Sequence, residues 1–125
     1  MEYNSEACTR SIIAVRDTLY VLSGKWKLPI IIALSGGPIR FKDLQRLLQD
    51  ITPKILSKEL KELELNEFVT RTVYATSPVT VEYAPTKYSE SLNNIIGEMR
   101  TWGLQHRKRI MNSSRRSKKR ALADA

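Results

Sequence analysis

The sequence predicts a mainly α-helical fold with a small β-hairpin wing, and three stretches carry that prediction. The first, RFKDLQRLL from Arg40, sets Phe41, Leu44, Leu47 and Leu48 at helical spacing, the mark of a helix with one buried face. The second, TPKILSKELKELEL from Thr52, follows after only QDI and repeats the pattern with Ile55, Leu56, Leu60 and Leu63. The third is a pair of alternating runs, with Val69, Arg71 and Val73 before the turn Ala75-Thr76-Ser77-Pro78 and Val79, Val81 and Tyr83 after it. Such alternation reads as two strands, each with one packed face. Helix, short turn, helix and hairpin is the winged helix-turn-helix order of parts, and modules built this way mostly bind duplex DNA.

Taken in order, residues 1–10 read as an irregular arm carrying Cys8, the single cysteine. A helix is expected from Ser11, with Ile12, Val15, Leu19 and Leu22 on one side, until Gly24 ends it. Lys25-Trp26 opens another helix through Leu34. It is almost wholly apolar after Lys27, so it should be buried, and Pro29 is tolerable only in its first turn. Ser35-Gly36-Gly37-Pro38 breaks the chain, and Ile39 is placed to add a short strand to the hairpin.

The helix from Thr52 has a threonine oxygen to cap it and a proline at its first position. It should end near Leu65, with Asn66 in the left-handed conformation. Thr86 then caps a long last helix. Tyr88, Leu92, Ile95, Met99, Trp102 and His106 follow a heptad-like spacing along it. That seam either packs on the protein's own core or meets a second copy. Its apolar surface exceeds what so small a domain covers, so a homodimer is expected, with Ile12, Val15 and Leu19 meeting Leu92, Ile95, Met99 and Trp102. Three segments result: the arm 1–10, a winged helix-turn-helix domain with dimerisation helices over 11–111, and a basic tail 112–125 that should be disordered.

Composition narrows the function. The 42% apolar and 27% charged fractions are those of a globular protein. The longest apolar run, Leu28 to Leu34, is too short to span a bilayer, and no secretory signal opens the chain, so no membrane partner and a cytoplasmic location are expected. The net charge is +8, yet eight of the 21 basic residues lie between Arg107 and Arg120. The first 106 residues are therefore close to neutral, and affinity for DNA must come from charge gathered on one face.

The outer face of the second motif helix gathers it. Thr52, Pro53, Lys54, Ser57 and Lys58 are the candidates for base edges and adjacent phosphates, since the start of such a helix enters the major groove. Lys61, Arg40 and Arg71 are phosphate candidates, as are Thr76 and Ser77 at the wing. Each has the alternative of a solvated surface position. Enzyme chemistry finds no support: His106 is the only histidine, Gly36-Gly37 lacks a phosphate-loop pattern, and no metal-ligand spacing exists. No catalytic residue, metal or cofactor is expected, and no small-molecule effector is indicated.

The stretches GKWKLPIIIAL, GGPIRFKDLQRLL, ITPKILSKELKELE, FVTRTVY and SPVTVEYAPT, in this order and with Cys8 ahead of them, resemble the HxlR-type winged-helix transcriptional regulators of bacteria and archaea. The resemblance covers roughly residues 8–105. It implies a homodimer on a two-fold-related operator, a recognition helix from Thr52 to Leu65, and a wing from Ala75 to Thr80. Some members of that family sense thiol-reactive stress through such a cysteine, which makes Cys8 a redox candidate. The chain departs from the family's pattern at Thr9, where proline is usual, at Glu67 and Ser89, where glycine is common, and at Thr80, where the wing is often basic. The competing reading is a winged helix used only for protein contacts.

Overall fold

Packing centres on the apolar stretch Leu28 to Leu34, which buries Ile30, Ile31 and Leu34 but, against expectation, leaves Ile32 exposed because it falls on the opposite side of the helix. The computed structural model describes residues 5–123. Helix α1 spans Ser5–Leu22 and α2 spans Lys27–Leu34. Strand β1 (Ile39–Arg40) leads into α3 (Phe41–Leu48), α4 (Pro53–Leu65), β2 (Val69–Tyr74) and β3 (Thr80–Pro85). A 3-10 turn at Tyr88–Leu92 precedes α5 (Asn93–Ala123). The chain divides into two units, the first ending at Glu90 and the second starting at Ser91.

The core of the first unit is made by Ile30 and Leu34 of α2, Leu44 of α3, and Leu56, Leu60 and Leu63 of α4, all fully buried. Pro29 falls in the first turn of α2, where its missing N–H costs no hydrogen bond. The sheet is antiparallel in the order β1-β3-β2, with Ile39 opposite Tyr83 and Arg71 opposite Tyr83 on its other side. The short strand at Ile39 thus closes a three-stranded sheet, and the fold is the winged helix-turn-helix expected.

Several local expectations are corrected. Helix α1 starts at Ser5, so residues 5–10 of the expected irregular arm are helical and Cys8 sits within the first turn. Residues 1–4 lie outside the described residues. The expected disordered tail continues α5 as far as Ala123, and residues 124–125 lie outside the description. Extending a formed helix costs far less than nucleating one, and Arg, Lys, Ala and Leu are good helix formers, so periodicity is not required. Thr86 caps the 3-10 turn: its Oγ1 accepts from the Ser89 N–H at 3.2 Å and donates to the Glu67 carbonyl at 2.6 Å. Leu47 and Ile55 are exposed, leaving Leu44 with Leu48, and Leu56 with Leu60 and Leu63, as the inward faces. Val73 is also exposed, so β2 lacks the continuous packed face expected.

The end of α4 differs in an instructive way. Asn66 has φ −91 and Glu67 takes the left-handed conformation, at φ 66. The Phe68 N–H donates to the Leu63 carbonyl at 2.9 Å and the Glu67 N–H to the Glu64 carbonyl at 3.0 Å. This pair of bonds is a Schellman motif, which needs its left-handed residue one place after the cap. The turn between α3 and α4 holds two more such residues, Gln49 at φ 44 and Asp50 at φ 43. There the Ile51 N–H returns to the Gln49 carbonyl, and Ile51 enters the core.

Candidate nucleic-acid interface

Helix α4 has three faces with three different tasks. Leu56, Leu60 and Leu63 anchor it. Lys54, Ser57, Lys58 and Lys61 form an exposed ridge on its outer side, at the spacing that places one above another. Thr52 Oγ1 accepts from the Ile55 N–H at 3.2 Å and so holds the first turn, with Pro53 at the first helical position. The hydroxyl hydrogen of Thr52 stays available to an acceptor beyond the helix.

The third face pairs with α2. Lys27 is 8% exposed, and its Nζ lies 2.7 Å from Glu59 Oε2 and 2.5 Å from Glu62 Oε2. Burial alone would lower the pKa of this ammonium. The hydrogen bonds and charges of Glu59 and Glu62 outweigh it and hold the group above the ordinary lysine value. The Lys27 hydrogen bond holds the Glu62 carboxyl below the ordinary range against partial desolvation, with the charges of Lys27 and Lys58 adding to it. Two carboxylates of α4 thereby share one buried ammonium, which offsets one of their two negative charges. The sequence placed those acids on the helix but not their partner.

Beside the ridge lies an open groove of ≈ 520 Å³ running from α3 to the wing. Ser57 forms part of its α4 wall, and Phe41 and Tyr83 lie in it with ring centroids 6.4 Å apart. Arg40, Lys42, Arg46 and Arg71 line it, with Asp43 the one acidic residue among its walls. Arg46 reaches Asp43 at 3.4 Å, but both side chains are largely exposed, so the pair contributes little. Of the predicted phosphate candidates, Arg40 and Arg71 are thus brought together with Ser57. Lys42 and Arg46 were missed by sequence reading. Their signal was their spacing of four on α3, across from Leu44 and Leu48.

The wing places Thr76 differently from expectation. Its hydroxyl donates to the Pro78 carbonyl at 2.7 Å and lies 2.9 Å from Thr80 Oγ1, so it braces the tip. Ser77 is exposed. Thr80, which stands where the wing is often basic, belongs to the same brace. Tyr74 Oη donates to Glu82 Oε1 at 3.3 Å across the two strands.

The predicted dimer residues fall into two sets. On α1, Ile12, Val15 and Leu19 are exposed together with Ile13 and Tyr20. On α5, Ile95, Met99 and Trp102 are exposed, Trp102 to 65%, whereas Leu92, in the preceding 3-10 turn, is buried and so is not available to a second copy. The Trp102 ring stacks on His106 at 4.7 Å. Cys8 is half-buried in α1 and lines an open, apolar hollow with Ile12, Val15 and Arg16. Among the described residues no group of histidine, cysteine and carboxylate side chains has metal-site geometry, and no helix is long and apolar enough to cross a membrane.

Residues 21–111 match the family described as HxlR-like helix-turn-helix. The chain belongs to this family. It is 40% identical over 98 residues to the HTH-type transcriptional regulator YtcD of Bacillus subtilis, covering 78% of each chain. The crystal structure of ytcD superposes with a TM-score of 0.70 over 74% of this chain and 94% of that one. The redox regulator HypR in its reduced form gives a TM-score of 0.71 at 36% identity, over 75% of this chain and 93% of that one. The reduced form of the regulator YodB from B. subtilis gives 0.65 at 32% identity, over 83% and 94%. The HxlR-like chain is therefore a helix-turn-helix transcriptional regulator of the DNA-binding class, and its relatives are regulators, not enzymes.

Proposed function

We propose that this protein acts in the cytoplasm as a homodimer that reads a two-fold-related operator, with α4 in the major groove. The observation that carries the reading is the exposed Lys54, Ser57, Lys58 and Lys61 ridge, flanked by the basic groove of Arg40, Lys42, Arg46 and Arg71. Lys54 and Lys58, near the helix start, face base edges, with Thr52, Pro53 and Ser57 beside them. Lys61 and the groove residues neutralise phosphates, which sets register without reading sequence. Ser77 approaches the backbone at the wing, and Thr76 supports it by bracing the tip. The exposed apolar faces of α1 and of α5 are each covered by a second copy, since surfaces of that kind are seldom left to water. The two recognition helices then enter successive major grooves about 34–36 Å apart.

Selection of bound sequences from a random duplex pool, at near-physiological salt, tests the reading. Enrichment of an inverted repeat with half-sites one helical turn apart is expected. Absence of any enrichment would overturn it in favour of a winged helix that contacts proteins.

A thiol switch through Cys8 is a second part of the proposal, favoured by its position in an open hollow beside Arg16. HypR is known in reduced and oxidized forms and YodB in reduced and diamide-treated forms, at 32–37% identity to this chain. With one cysteine per chain, oxidation gives an adduct, a sulfenic acid or a disulfide between chains. Diamide should change operator affinity of the unaltered protein and not of Cys8→Ser. Equal sensitivity in both would remove the switch.

A further inference from the structure

Beyond the winged helix, α5 carries a dense array of charge. Eight basic residues lie from Arg107 to Arg120, no acidic residue lies from Leu104 to Ala123, and every residue in that range is exposed. The match to the family ends at residue 111, within the same helix. We propose that this end of α5 is a second DNA contact, which binds the phosphate backbone of duplex DNA irrespective of sequence. It rests on the DNA-binding reading above but uses none of the residues of α4 or the wing.

Helix geometry supports duplex DNA over other acidic partners. At about 100° per residue, Arg107 aligns with Lys118, Lys108 with Arg115 and Lys119, and Arg109 with Arg116 and Arg120. Three adjacent basic rows result. The stretch is about 20 Å long, and a duplex presents on the order of a dozen phosphates over that length. Like charges one turn apart, as in Arg115 with Lys119 and Arg116 with Arg120, weaken an isolated helix by a few tenths of a kcal/mol per pair. Phosphates between the rows relieve that repulsion. A membrane surface fits less well. Leu104, Met111 and Leu122 lie between basic rows, while the opposite side sets a single large apolar residue, Ile110, among Ser113, Ser114 and Ser117, so no continuous apolar face opposes the charged one.

The test compares the full chain, a quadruple variant (Arg115→Ala, Arg116→Ala, Lys118→Ala and Lys119→Ala) and a chain ending at Asn112. Alanine preserves the helix. Fluorescence anisotropy follows each on a random-sequence duplex and on a selected duplex across a salt series. Each lost phosphate contact should flatten the plot of log affinity against log salt by about 0.9, so the quadruple variant should lose about 2–4 in slope. Random-duplex affinity should fall more than tenfold and preference for the selected duplex should rise. Unchanged slopes, with the selected duplex still bound, would overturn this inference and leave the operator reading standing. Failure of the unaltered chain to bind either duplex would overturn both. Sedimentation with phosphatidylserine vesicles that the variant loses, at unchanged duplex slope, would reassign the helix to a membrane surface.

Discussion

Replacing Glu67 by glycine should stabilise the protein, although it removes a side chain. Glu67 stands at φ 66, a conformation that costs an L-residue roughly 1–2 kcal/mol and glycine almost nothing. Its N–H donates to the Glu64 carbonyl and its own carbonyl accepts from Thr86 Oγ1, and both bonds are made by the backbone of residue 67, so glycine keeps them. The side chain is exposed, so no packing is lost. Glycine gives the unfolded chain extra freedom worth about 0.5–1 kcal/mol in the opposite direction. The net gain is about 0.5–1 kcal/mol, or roughly 2–5 °C in Tm for a chain of this size. Urea unfolding followed by far-UV circular dichroism measures it, at fixed protein concentration because the stability of the proposed dimer would depend on concentration. Glu67→Gln is the control: it removes an acid from the unfavourable end of the α4 dipole, worth a few tenths of a kcal/mol, and keeps the Cβ. A Glu67→Gly protein no more stable than Glu67→Gln would refute the conformational argument and leave only the charge.

Lys27→Met should lower Tm at neutral pH by leaving Glu59 and Glu62 facing each other without a cation. Because the folded-state pKa of Glu62 is lowered, its contribution is present above the ordinary carboxylate pKa and lost as pH falls through the lowered value. The raised Lys27 pKa makes its contribution fade only as strongly alkaline pH passes through it. The Tm gap between Lys27→Met and the unaltered protein should therefore narrow under acid, as a Tm series against pH will show. Met99→Glu on α5 should shift the proposed dimer to monomer in sedimentation velocity, since it sets charge into an exposed apolar face; a dimer unaffected by the change would place the interface elsewhere. Lys58→Ala should cost about 1–3 kcal/mol on a selected operator and relax the preference at one base pair, whereas Arg46→Ala should weaken all duplexes alike and lower the salt slope by about 1. Titrations of both variants against selected and scrambled duplexes decide between the two roles.

Much of this was written in patterns of short range. The spacing of Leu56, Leu60 and Leu63, the Thr52-Pro53 start and the alternation around Val81 state local preferences that the tertiary structure had no reason to overrule. Even the departure at Glu67 from the glycine common in related chains marked the residue that takes the left-handed turn, although Asn66 was the better candidate by residue type. The tail was misread for a physical reason: composition without periodicity signals disorder only when no helix is already formed upstream, and α5 is.

The sequence alone settled the order of the motif elements, the core residues Leu44, Leu56, Leu60 and Leu63, the basic ridge of α4 and the family resemblance, because each depends on residues within a few turns of one another. Only the tertiary structure decided what those elements share. It seated Lys27, 32 residues before Glu59 and 35 before Glu62, between two carboxylates of α4. It joined Lys42 and Arg46 of α3 with Arg40, Arg71 and the wing in one groove. It committed the Thr76 hydroxyl to the hairpin tip. Each of these depends on where helices and strands cross. Crossing geometry follows from the packing of whole faces, which no local window of sequence contains.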